Sequence, residues 1–510
     1  MHLDKEFDLE QSLPWNSDAL IQDLGLSTLL DQMSRGDELV LATSRTALLC
    51  SLISEKDILH RQQVLEDCIA NETDVRALYE LVTGALAKEK GNFWGWFTPT
   101  SSSGILNKGT ERLQLFLPTL RDLRSFAVRN AGRFTSDGFT HLFANFQNLL
   151  TEDYLAKLSR HVRQLGFRNG AMLTARLGSD NRSTGYVVHA NRLKRSCWLK
   201  RLFFGDPPQT FHLDPRDESG ARILGKLRDR ALQDVTRILG SSTEHILGFF
   251  VSLQTELAFF IGCLNLREWS IKNGYPLCFP RTGTQPSTPY SARALYDIGL
   301  ALQTENKLVG NDLTADDKRL IVITGANRGG KSTYLRAIGI SQLMLQAGMF
   351  VPADSFSSQI ATGIFTHFRR EEDVGMKSGK FDEELSRFNQ LVPHLAPNAM
   401  VFFNESFAAT NERDGSEIAL HIIRALEESG VRIAFVTHLY TLANCLFKSG
   451  LGNGLFLRAD RGANGTRTYR LREGEPLETS HAADLYARII GDMDLTAAEE
   501  RPFAPSDART

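Results

Sequence analysis

The sequence predicts a multidomain protein in which an all-α region with a small β-containing insertion is followed by an α/β domain. The chain has 510 residues, enough for three or four domains at about 150 residues each. In its first half, apolar residues recur mainly three and four positions apart, which is the spacing of packed helices. In the last 200 residues, short apolar runs alternate with amphipathic helices, as in a mainly parallel sheet covered on both faces.

The all-α region is predicted to consist of two helical parts. Residues 1–100 form the first part, because helical spacing continues from Leu26 to about Ala87 without a proline. A run rich in Gly, Pro, Ser and aromatic residues at 91–104 marks its end. Residues 101–240 are predicted as further helices, interrupted by two strand-like runs, AMLTARLG and GYVVHANRL, around the polar turn SDNRST. These two runs are the small β-containing insertion.

The α/β domain is predicted to follow returning helices and a linker at 241–300. The linker is the segment GYPLCFPRTGTQPSTPYS, which holds four prolines. The last domain, 301–510, contains three short apolar runs, Leu320–Ile323, Met400–Phe403 and Ile433–Val436. Such runs are typical of strands that are buried on both faces of a sheet.

Composition and charge exclude several classes of protein. Hydrophobic residues make up 42% of the chain and charged residues 23%, which excludes disordered and collagen-like chains. The net charge of −2 provides no overall attraction for a polyanion, so any nucleic-acid surface must be local. The six cysteines are scattered singly and indicate neither a disulfide framework nor a zinc site.

The sequence also predicts where the protein resides. The acidic N-terminus lacks the features of an export signal. The most apolar stretch, Leu247–Leu266, is interrupted by polar residues and is interpreted as a buried helix instead of a membrane span. We therefore expect a cytoplasmic protein, nucleoid-associated if bacterial, with no membrane partner.

A phosphate-binding loop is predicted at Gly325–Ser332, which matches G-x-x-x-x-G-K-[ST]. The loop follows the apolar run LIVIT and precedes a helical pattern that ends at Gly348, so strand, loop and helix come in the required order. The glycines let backbone amides face the β- and γ-phosphates, Lys331 adds charge, and Ser332 offers a hydroxyl to Mg²⁺. The alternative is a glycine-rich turn that binds no nucleotide.

Two further strand ends carry polar side chains. MVFFNES places Asn404 and Glu405 at the carboxyl edge of the sheet, where doubly wound folds bind ligands. Glu405 is the candidate catalytic base, which would orient a water in line with the γ-phosphate. RIAFVT leads to His438, where a neutral imidazole could sense that phosphate. Taken singly, Glu405 could be a capping acid and His438 a structural histidine, but three such strand ends in this order favour catalysis.

Several segments resemble the MutS family of mismatch-repair ATPases, within the ABC class of P-loop proteins. TGANRGGKSTYLR is similar to the family's TGPNMGGKSTYLR and VTHLYTL to its ATHYFEL, while GMFVPAD and NERDG resemble the segments after its first helix and after Walker B. Residues 29–71 are similar to the core and lever helices, and residues 256–280 to the helices that return from the lever. The resemblance implies that 301–510 is a MutS-type ABC ATPase domain.

The resemblance also assigns individual residues. It implies that ATP and Mg²⁺ are held by Gly325, Asn327, Gly329, Gly330, Lys331, Ser332 and Thr333. Asn404 joins Ser332 at the metal, Glu405 positions water, and His438 reads the γ-phosphate. The family's signature serine contacts the γ-phosphate of the partner subunit, and Ser378 lies one residue from its position when Phe381 and Glu384 are aligned with the family motif.

The implied assembly is a homodimer with two composite ATP sites, whose nucleotide state opens or closes helical arms around double-stranded DNA. Two departures from the family qualify this expectation. Members that read mismatches carry an N-terminal Phe-x-Glu wedge, whereas the Phe-x-Glu triplets here start at Phe381 and Phe403, in the ATPase half. The usual Walker B Asp is Asn404 in this chain, which predicts weak Mg²⁺ support and slow turnover.

A basic segment is the candidate DNA contact. Ten Lys or Arg and a single acid, Asp180, lie between Arg160 and Arg201. In the family a clamp between the lever helices grips the DNA backbone, so phosphate contacts are expected here. The residues chosen as contacts are Arg182, Arg192, Lys194 and Arg195. A solvated basic face is the alternative.

The sequence as a whole predicts a mismatch-repair-related ATPase that clamps DNA, with further repair partners left open. One rival keeps the ATPase and changes the substrate to branched DNA, RNA or a ribosome. Another is an ATP-gated interaction clamp with little turnover. A membrane transporter ATPase is less favoured, because the helical portion precedes the ATPase domain and lacks convincing spans.

Overall fold

A computed structural model gives the fold. It describes residues 7–93, 102–165, 172–177, 183–189, 218–284, 288–370, 379–449, 454–461 and 467–477. The chain divides into two compact units. Unit 1 comprises 1–11, 33–46 and 59–266, and unit 2 comprises 12–32, 47–58 and 267–510. The division into four domains proposed from the sequence remains a prediction.

The N-terminal part of the described chain is helical apart from one pair of strands, as predicted. Its helices are α1 (Ser17–Leu24), α2 (Leu26–Ser34), α3 (Glu38–Leu49), α4 (Glu55–Ala70), α5 (Glu72–Phe93), α6 (Ser102–Asn130), α7 (Asp137–Leu149), α8 (Glu152–Leu165) and α9 (Glu218–Lys272). Apolar residues at helical spacing produce these elements because each helix can bury one stripe against its neighbours.

Packing of α6, α8 and α9 shows how unit 1 is held together. Leu113, Val162 and Leu239 are buried in one cluster, one residue from each helix. The rings of Phe116 and Phe250 stack with centroids 4.7 Å apart. Burying a Leu or Phe side chain contributes about 1.5–3 kcal/mol, so these contacts stabilise helices that would be marginal in isolation.

The stretch Leu247–Leu266 lies inside α9, which is 55 residues long. Within the described residues, this is the one helix whose length and apolar composition would allow it to cross a membrane. Just over half of its most apolar window, 56%, is buried in the protein. A core helix meets the same criteria, which agrees with the interpretation as a buried helix.

The predicted β insertion is present as an antiparallel pair. Strand β1 (Met172–Leu177) pairs with β2 (Ser183–His189), with Leu173 opposite Val188. The register shifts between Thr174 and Arg176. Thr184, Tyr186, Val187 and Val188 of β2 are β-branched or aromatic, residue types that favour strands.

Unit 2 contains the α/β domain. Its elements after α9 are β3 (Arg281–Gly283), β4 (Ser291–Leu295), α10 (Ile298–Gln303), β5 (Asn311–Thr314), β6 (Leu320–Thr324), α11 (Lys331–Gln346), β7 (Ser355–Gln359), β8 (Ile364–Phe368), α12 (Lys380–Leu391), β9 (Met400–Asn404), α13 (Glu412–Glu428), β10 (Arg432–Val436), α14 (Tyr440–Lys448), β11 (Gly454–Arg461) and β12 (Arg467–Glu473). A 3-10 turn at Val392–His394 follows α12.

The central sheet has six strands in the order β12-β11-β6-β10-β9-β8. All neighbouring pairs are parallel except the edge pair β11–β12. A smaller mixed sheet has the order β3-β7-β4-β5. The predicted α/β domain with a mainly parallel sheet is therefore confirmed.

The register of the central sheet brings the functional strand ends together. Val436 lies opposite Ile323 on one side and opposite Asn404 on the other. Every residue of β6 and β10 is buried, and Phe403 stacks on Phe435 at 5.2 Å between ring centroids. Because three parallel strands end at one edge, the residues that follow them are neighbours in space.

Candidate nucleotide site

The loop between β6 and α11 requires glycine at two positions. Gly325 has φ +119° and Gly330 has φ +91°, conformations that side chains rarely adopt. A Cβ at Gly325 would also lie 2.9 Å from the Ala459 nitrogen. Gly330 is the N-cap of α11, whose first backbone N–H groups have no partner within the helix and carry its positive end. The loop is therefore built to receive an anion.

Lys331 is the first residue of α11 and its side chain is buried within the loop. Its Nζ donates hydrogen bonds to the carbonyl oxygens of Gly325 (2.8 Å) and Ala326 (2.9 Å). Burial lowers the pKa of Lys331 to about 8, and the negative charge of Glu405 opposes this effect. An ammonium group that is held by carbonyl dipoles alone attracts an anion strongly, because burial weakens the screening by water.

Ser332 and Asn404 meet beside the loop. The Ser332 Oγ donates a hydrogen bond to the Asn404 Oδ1 across 2.8 Å. Asn404 is the last residue of β9, the second strand from β6 in the central sheet. The two residues proposed as metal ligands from the sequence are thus brought together. Both supply oxygen, the ligand atom that Mg²⁺ prefers, but neither oxygen is charged.

Glu405 and His438 form a hydrogen-bonded pair at the ends of β9 and β10. The His438 Nε2 lies 2.9 Å from the Glu405 Oε1, and about a third of each side chain is exposed. The hydrogen bond from His438 lowers the pKa of Glu405, against the opposing effect of burial. Glu405 is therefore an ionised carboxylate at neutral pH, which is the form that can accept a proton.

The backbone that carries Glu405 is unusual. Glu405 has φ +56° and Phe407 has φ +65°, in the left-handed region that non-glycine residues seldom occupy. The Glu405 N–H donates to the Val436 carbonyl (2.8 Å). The Phe407 N–H donates to the Glu384 carboxylate (2.7 Å), which belongs to α12. Such strain persists only where surrounding contacts hold it, and here α12 supplies one of them.

His367 contacts both the turn after β9 and helix α12. Its Nδ1 contacts the Ser406 Oγ (2.9 Å), and its Nε2 contacts the Glu384 carbonyl oxygen (3.1 Å). A carbonyl can only accept, so Nε2 carries the proton. Burial lowers the pKa of His367 to about 4, so the ring is neutral at pH 7. The ring also stacks on Phe407, with centroids 5.4 Å apart.

A pocket of about 570 Å³ opens beside the loop. Gly330 and Thr333, two residues predicted to bind nucleotide, form part of its wall. The rest of the wall includes Tyr296, Leu308, Val309, Tyr334, Arg467 and Tyr469. Aromatic and aliphatic walls next to a phosphate loop suit a planar heterocyclic base.

The other predicted residues divide into two groups. Asn327 is exposed in the loop, and Gly329 is packed against Ala459, which a Cβ would approach to 2.8 Å. Ser378 and the basic set Arg182, Arg192, Lys194 and Arg195 lie outside the described residues. In the part of the chain that the structure describes, no group of three or more His, Cys, Asp or Glu residues could hold a metal ion.

Sequence reasoning missed the supporting residues of the site. His367, Ser406 and the pocket tyrosines follow no recognisable spacing, because β8, α12 and the second sheet are brought to the loop only by folding. Glu384 had a weak signal, its alignment with the family motif that contains the signature serine, but that alignment gave no hint of its contact with Phe407.

Comparison with known proteins assigns the two parts of the chain to one family. Residues 54–269 match the model described as MutS2 N-terminal domain, and residues 321–462 match the one described as MutS domain V. Together these matches span more than half of the chain. The chain belongs to the MutS family. Members with domain V are ATPases, which agrees with the loop geometry.

Individual MutS-family relatives match over part of their length. Endonuclease MutS2 of Lacticaseibacillus casei (strain BL23) is 32% identical over 197 residues, covering 38% of this chain and 25% of that protein. The DNA mismatch repair protein MutS of Synechococcus sp. (strain CC9902) is 25% identical over 402 residues, which cover 73% of this chain and 43% of the length of that MutS protein. The chain thus spans a quarter to less than half of these relatives.

Proposed function

We propose that this chain binds ATP at the Gly325–Ser332 loop and hydrolyses it slowly. The observation that carries the proposal is the convergence of three strand ends: Lys331 at the first, Asn404 and Glu405 at the second, and His438 at the third. The loop and the N-terminus of α11 would hold the phosphates, and the neighbouring pocket would hold the adenine base.

The residues beside the loop fit a magnesium ion. The Ser332 Oγ and Asn404 Oδ1, 2.8 Å apart, are oxygen donors on one side of the loop. When bound with ATP, Mg²⁺ would neutralise charge on the β- and γ-phosphates. Because neither donor is charged, the chain would hold the ion more weakly than a carboxylate would.

The chain's own residues account for the proposed hydrolysis. Glu405 would orient a water in line with the γ-phosphate and accept its proton as the oxygen–phosphorus bond forms. His438 would donate a hydrogen bond from its Nε2–H to the Glu405 carboxylate. It would also respond to the departure of the γ-phosphate. Lys331 would exchange its two carbonyl partners for phosphate oxygens. The bond between the γ-phosphorus and the β,γ-bridging oxygen would break in the same step, so the products are ADP and inorganic phosphate.

We extend the proposal to the whole protein through the family. The chain would act on double-stranded DNA in a mismatch-repair-related process, as a homodimer with composite ATP sites and in the cytoplasm. The basic residues Arg182, Arg192, Lys194 and Arg195 would contact DNA phosphates. Branched DNA or RNA remain rival ligands, and binding to duplex, mismatched, branched and RNA ligands at one salt concentration separates them.

Single-turnover hydrolysis tests the catalytic proposal. We expect wild type to convert bound ATP to ADP, Glu405→Gln to bind ATP but turn it over at least a hundredfold more slowly, and Lys331→Ala to lose binding. The exposed substitution Glu428→Gln is a control of the same chemistry. Equal ATP uptake by wild type and Lys331→Ala would overturn the nucleotide site.

A second function, an ATP-gated interaction clamp with little turnover, is favoured by one observation. Asn404 replaces the Asp expected at the metal, so nucleotide could bind without being hydrolysed. Equal single-turnover rates for wild type and Glu405→Gln, together with tight ATP binding, would favour this clamp over the ATPase.

A further inference from the structure

A second pocket lies at the opposite edge of the central sheet, where the parallel strands begin. Its volume is about 450 Å³. Arg319 immediately precedes β6, and Arg432 is the first residue of β10. The phosphate loop follows the other end of β6, so the two pockets lie at opposite ends of the same strand. The wall of the second pocket includes Tyr290, Lys318, Arg319, Gln359, Asn398 and Arg432.

Arg432 is the central feature of this pocket. Its side chain is buried, with only 6% of the residue exposed. In the part of the chain that the structure describes, its Nε and Nη1 have no hydrogen-bond partner. Its Nη2 donates a long hydrogen bond to the Gln359 carbonyl (3.3 Å), and its guanidinium lies 5.7 Å from the centre of the Tyr290 ring.

In the described part of the chain, no carboxylate forms an ion pair with Arg432. Another arginine, Arg319, acts on its pKa as a like charge. Burial and this like charge both lower the pKa of Arg432. A buried charge without a counter-charge costs several kcal/mol, and the like charge of Arg319 increases that cost.

The rest of the wall has the composition of an anion site. It carries three basic residues, Lys318, Arg319 and Arg432, against one acid, Asp317. The Tyr290 hydroxyl is buried and, within the described chain, has no hydrogen-bond partner. Thr284 and Thr288 add hydroxyl groups to the wall. Guanidinium and hydroxyl donors around one cavity match the oxygens of a tetrahedral oxyanion.

We infer that this pocket binds a phosphate-type oxyanion, which compensates the buried charge of Arg432. Arg319 at the exposed rim would donate directly to the oxyanion. Arg432 would act mainly through its charge, because a buried guanidinium is screened less by solvent than an exposed one. The site is separate from the proposed ATP site, since no residue of the Gly325–Ser332 loop belongs to its wall.

The test titrates the full-length protein with inorganic phosphate. All variants carry Lys331→Ala as well, because the phosphate loop would otherwise add its own anion binding. Calorimetry and the thermal unfolding midpoint are followed at constant ionic strength, with chloride as the balancing ion. We expect saturable binding and a rise in the midpoint that follows the same saturation curve. Arg319→Gln should weaken binding at least tenfold.

Arg424→Gln is the matched control, since it removes the same charge from an exposed arginine of α13, and it should bind phosphate like its parent. A second variant, Arg432→Met, keeps the volume and removes the buried charge. It should be at least as stable as its parent without phosphate and gain nothing from phosphate. A midpoint that rises equally in all variants would show a general salt effect and overturn the proposal.

Dimethyl phosphate distinguishes the source of the oxyanion. If it competes with inorganic phosphate, the pocket accepts phosphodiesters such as a nucleic-acid backbone. If only inorganic phosphate binds, the ligand is a free phosphate or a monoester. If neither inorganic phosphate nor dimethyl phosphate shows saturable binding, the proposed oxyanion site is wrong. None of these outcomes depends on ATP binding or hydrolysis, so failure of the ATPase proposal leaves the oxyanion test intact.

Discussion

At the scale of single residues, the proposed metal side of the nucleotide site has two neutral oxygens. The Ser332 hydroxyl and the Asn404 amide oxygen are hydrogen-bonded to each other at 2.8 Å. An aspartate in place of Asn404 would add a negative charge next to the position proposed for Mg²⁺ without changing the shape of the side chain. The difference between the two residues is therefore almost purely electrostatic.

We predict that Asn404→Asp raises both Mg²⁺ affinity and the ATPase rate. The added carboxylate supplies a charged oxygen ligand, which divalent cations bind more tightly than an amide oxygen. We expect the Mg²⁺ concentration for half-maximal activity to fall about tenfold. Titration of steady-state hydrolysis with Mg²⁺ measures this. The control is Asn389→Asp, an exposed residue of α12; an unchanged Mg²⁺ profile in Asn404→Asp would contradict the assignment of the metal side.

Lys331 illustrates a conflict between stability and binding in one residue. Its pKa is lowered from 10.5 to about 8 by burial, so the charged form is disfavoured in the folded protein compared with the unfolded chain. The unfavourable contribution is complete below pH 8. It decreases as pH rises from 8 to 10.5, because the folded state then releases its proton before the unfolded state does.

We predict that Lys331→Met stabilises the nucleotide-free protein at pH 7 by an amount on the order of 1–3 kcal/mol and abolishes ATP binding. Its stability advantage over wild type should shrink between pH 8 and 10.5. Thermal unfolding of both proteins at pH 7 and pH 9.5 measures the difference, and groups common to both cancel. A constant advantage at the two pH values would show that Lys331 titrates normally.

At the scale of elements, helix α12 supports the turn that carries Glu405, the proposed catalytic residue. The carboxylate of Glu384 accepts the Phe407 N–H at 2.7 Å, and its backbone carbonyl faces the His367 ring. Phe407 is two residues after Glu405, which itself has φ +56°, and His367 also contacts Ser406, the residue directly after Glu405. Helix α12 begins directly after the segment in which Ser378 was proposed as the signature serine. Movement of this helix would therefore change the position of Glu405.

We predict that Glu384→Leu lowers kcat at least tenfold and leaves ATP affinity within a factor of two. The substitution removes the acceptor of the Phe407 N–H and releases the left-handed turn. Glu384→Gln keeps an acceptor oxygen and should retain most of the rate. Single-turnover hydrolysis and nucleotide titration separate the two effects. Equal losses in the Leu and Gln variants would show that the hydrogen bond to Phe407 does not position Glu405.

At the scale of the whole molecule, the residues proposed for ATP hydrolysis and those proposed for DNA binding belong to different units. Unit 2 contains the phosphate loop, the Glu405–His438 pair and the base pocket. Unit 1 contains long helices and the β1–β2 pair, and it includes most of the match to the MutS2 N-terminal domain. The basic residues proposed to contact DNA flank β2 in sequence, so the DNA contact would be made far along the chain from the ATPase residues.

We predict that reversing Arg192, Lys194 and Arg195 to Glu weakens duplex binding at least tenfold and flattens its dependence on salt. Fewer phosphate contacts release fewer counterions, which reduces the slope of log K against log salt. Fluorescence anisotropy with duplex DNA at several salt concentrations measures both quantities. The control reverses Lys56, Arg424 and Lys448, which are exposed elsewhere. Wild-type binding by the first triple variant would remove the clamp assignment.

The sequence by itself determined the local structure and the chemistry of the loop. Helical spacing, buried apolar runs and the G-x-x-x-x-G-K-[ST] pattern are local signals, since each reflects contacts within about one turn of helix or one strand. They were enough to predict the helical region, the β1–β2 pair, the mainly parallel sheet and the strand-end positions of Glu405 and His438.

The tertiary structure decided which side chains meet. Strand β6 precedes β9 by about eighty residues, and only the sheet register places Asn404 beside Ser332. The support of Phe407 by Glu384 and the contact of Arg432 with the Tyr290 ring likewise arise between elements that are distant in the chain. Burial, which sets the pKa values of Lys331 and His367, is a property of the packed molecule. A sequence pattern cannot express it, because it depends on all neighbours at once.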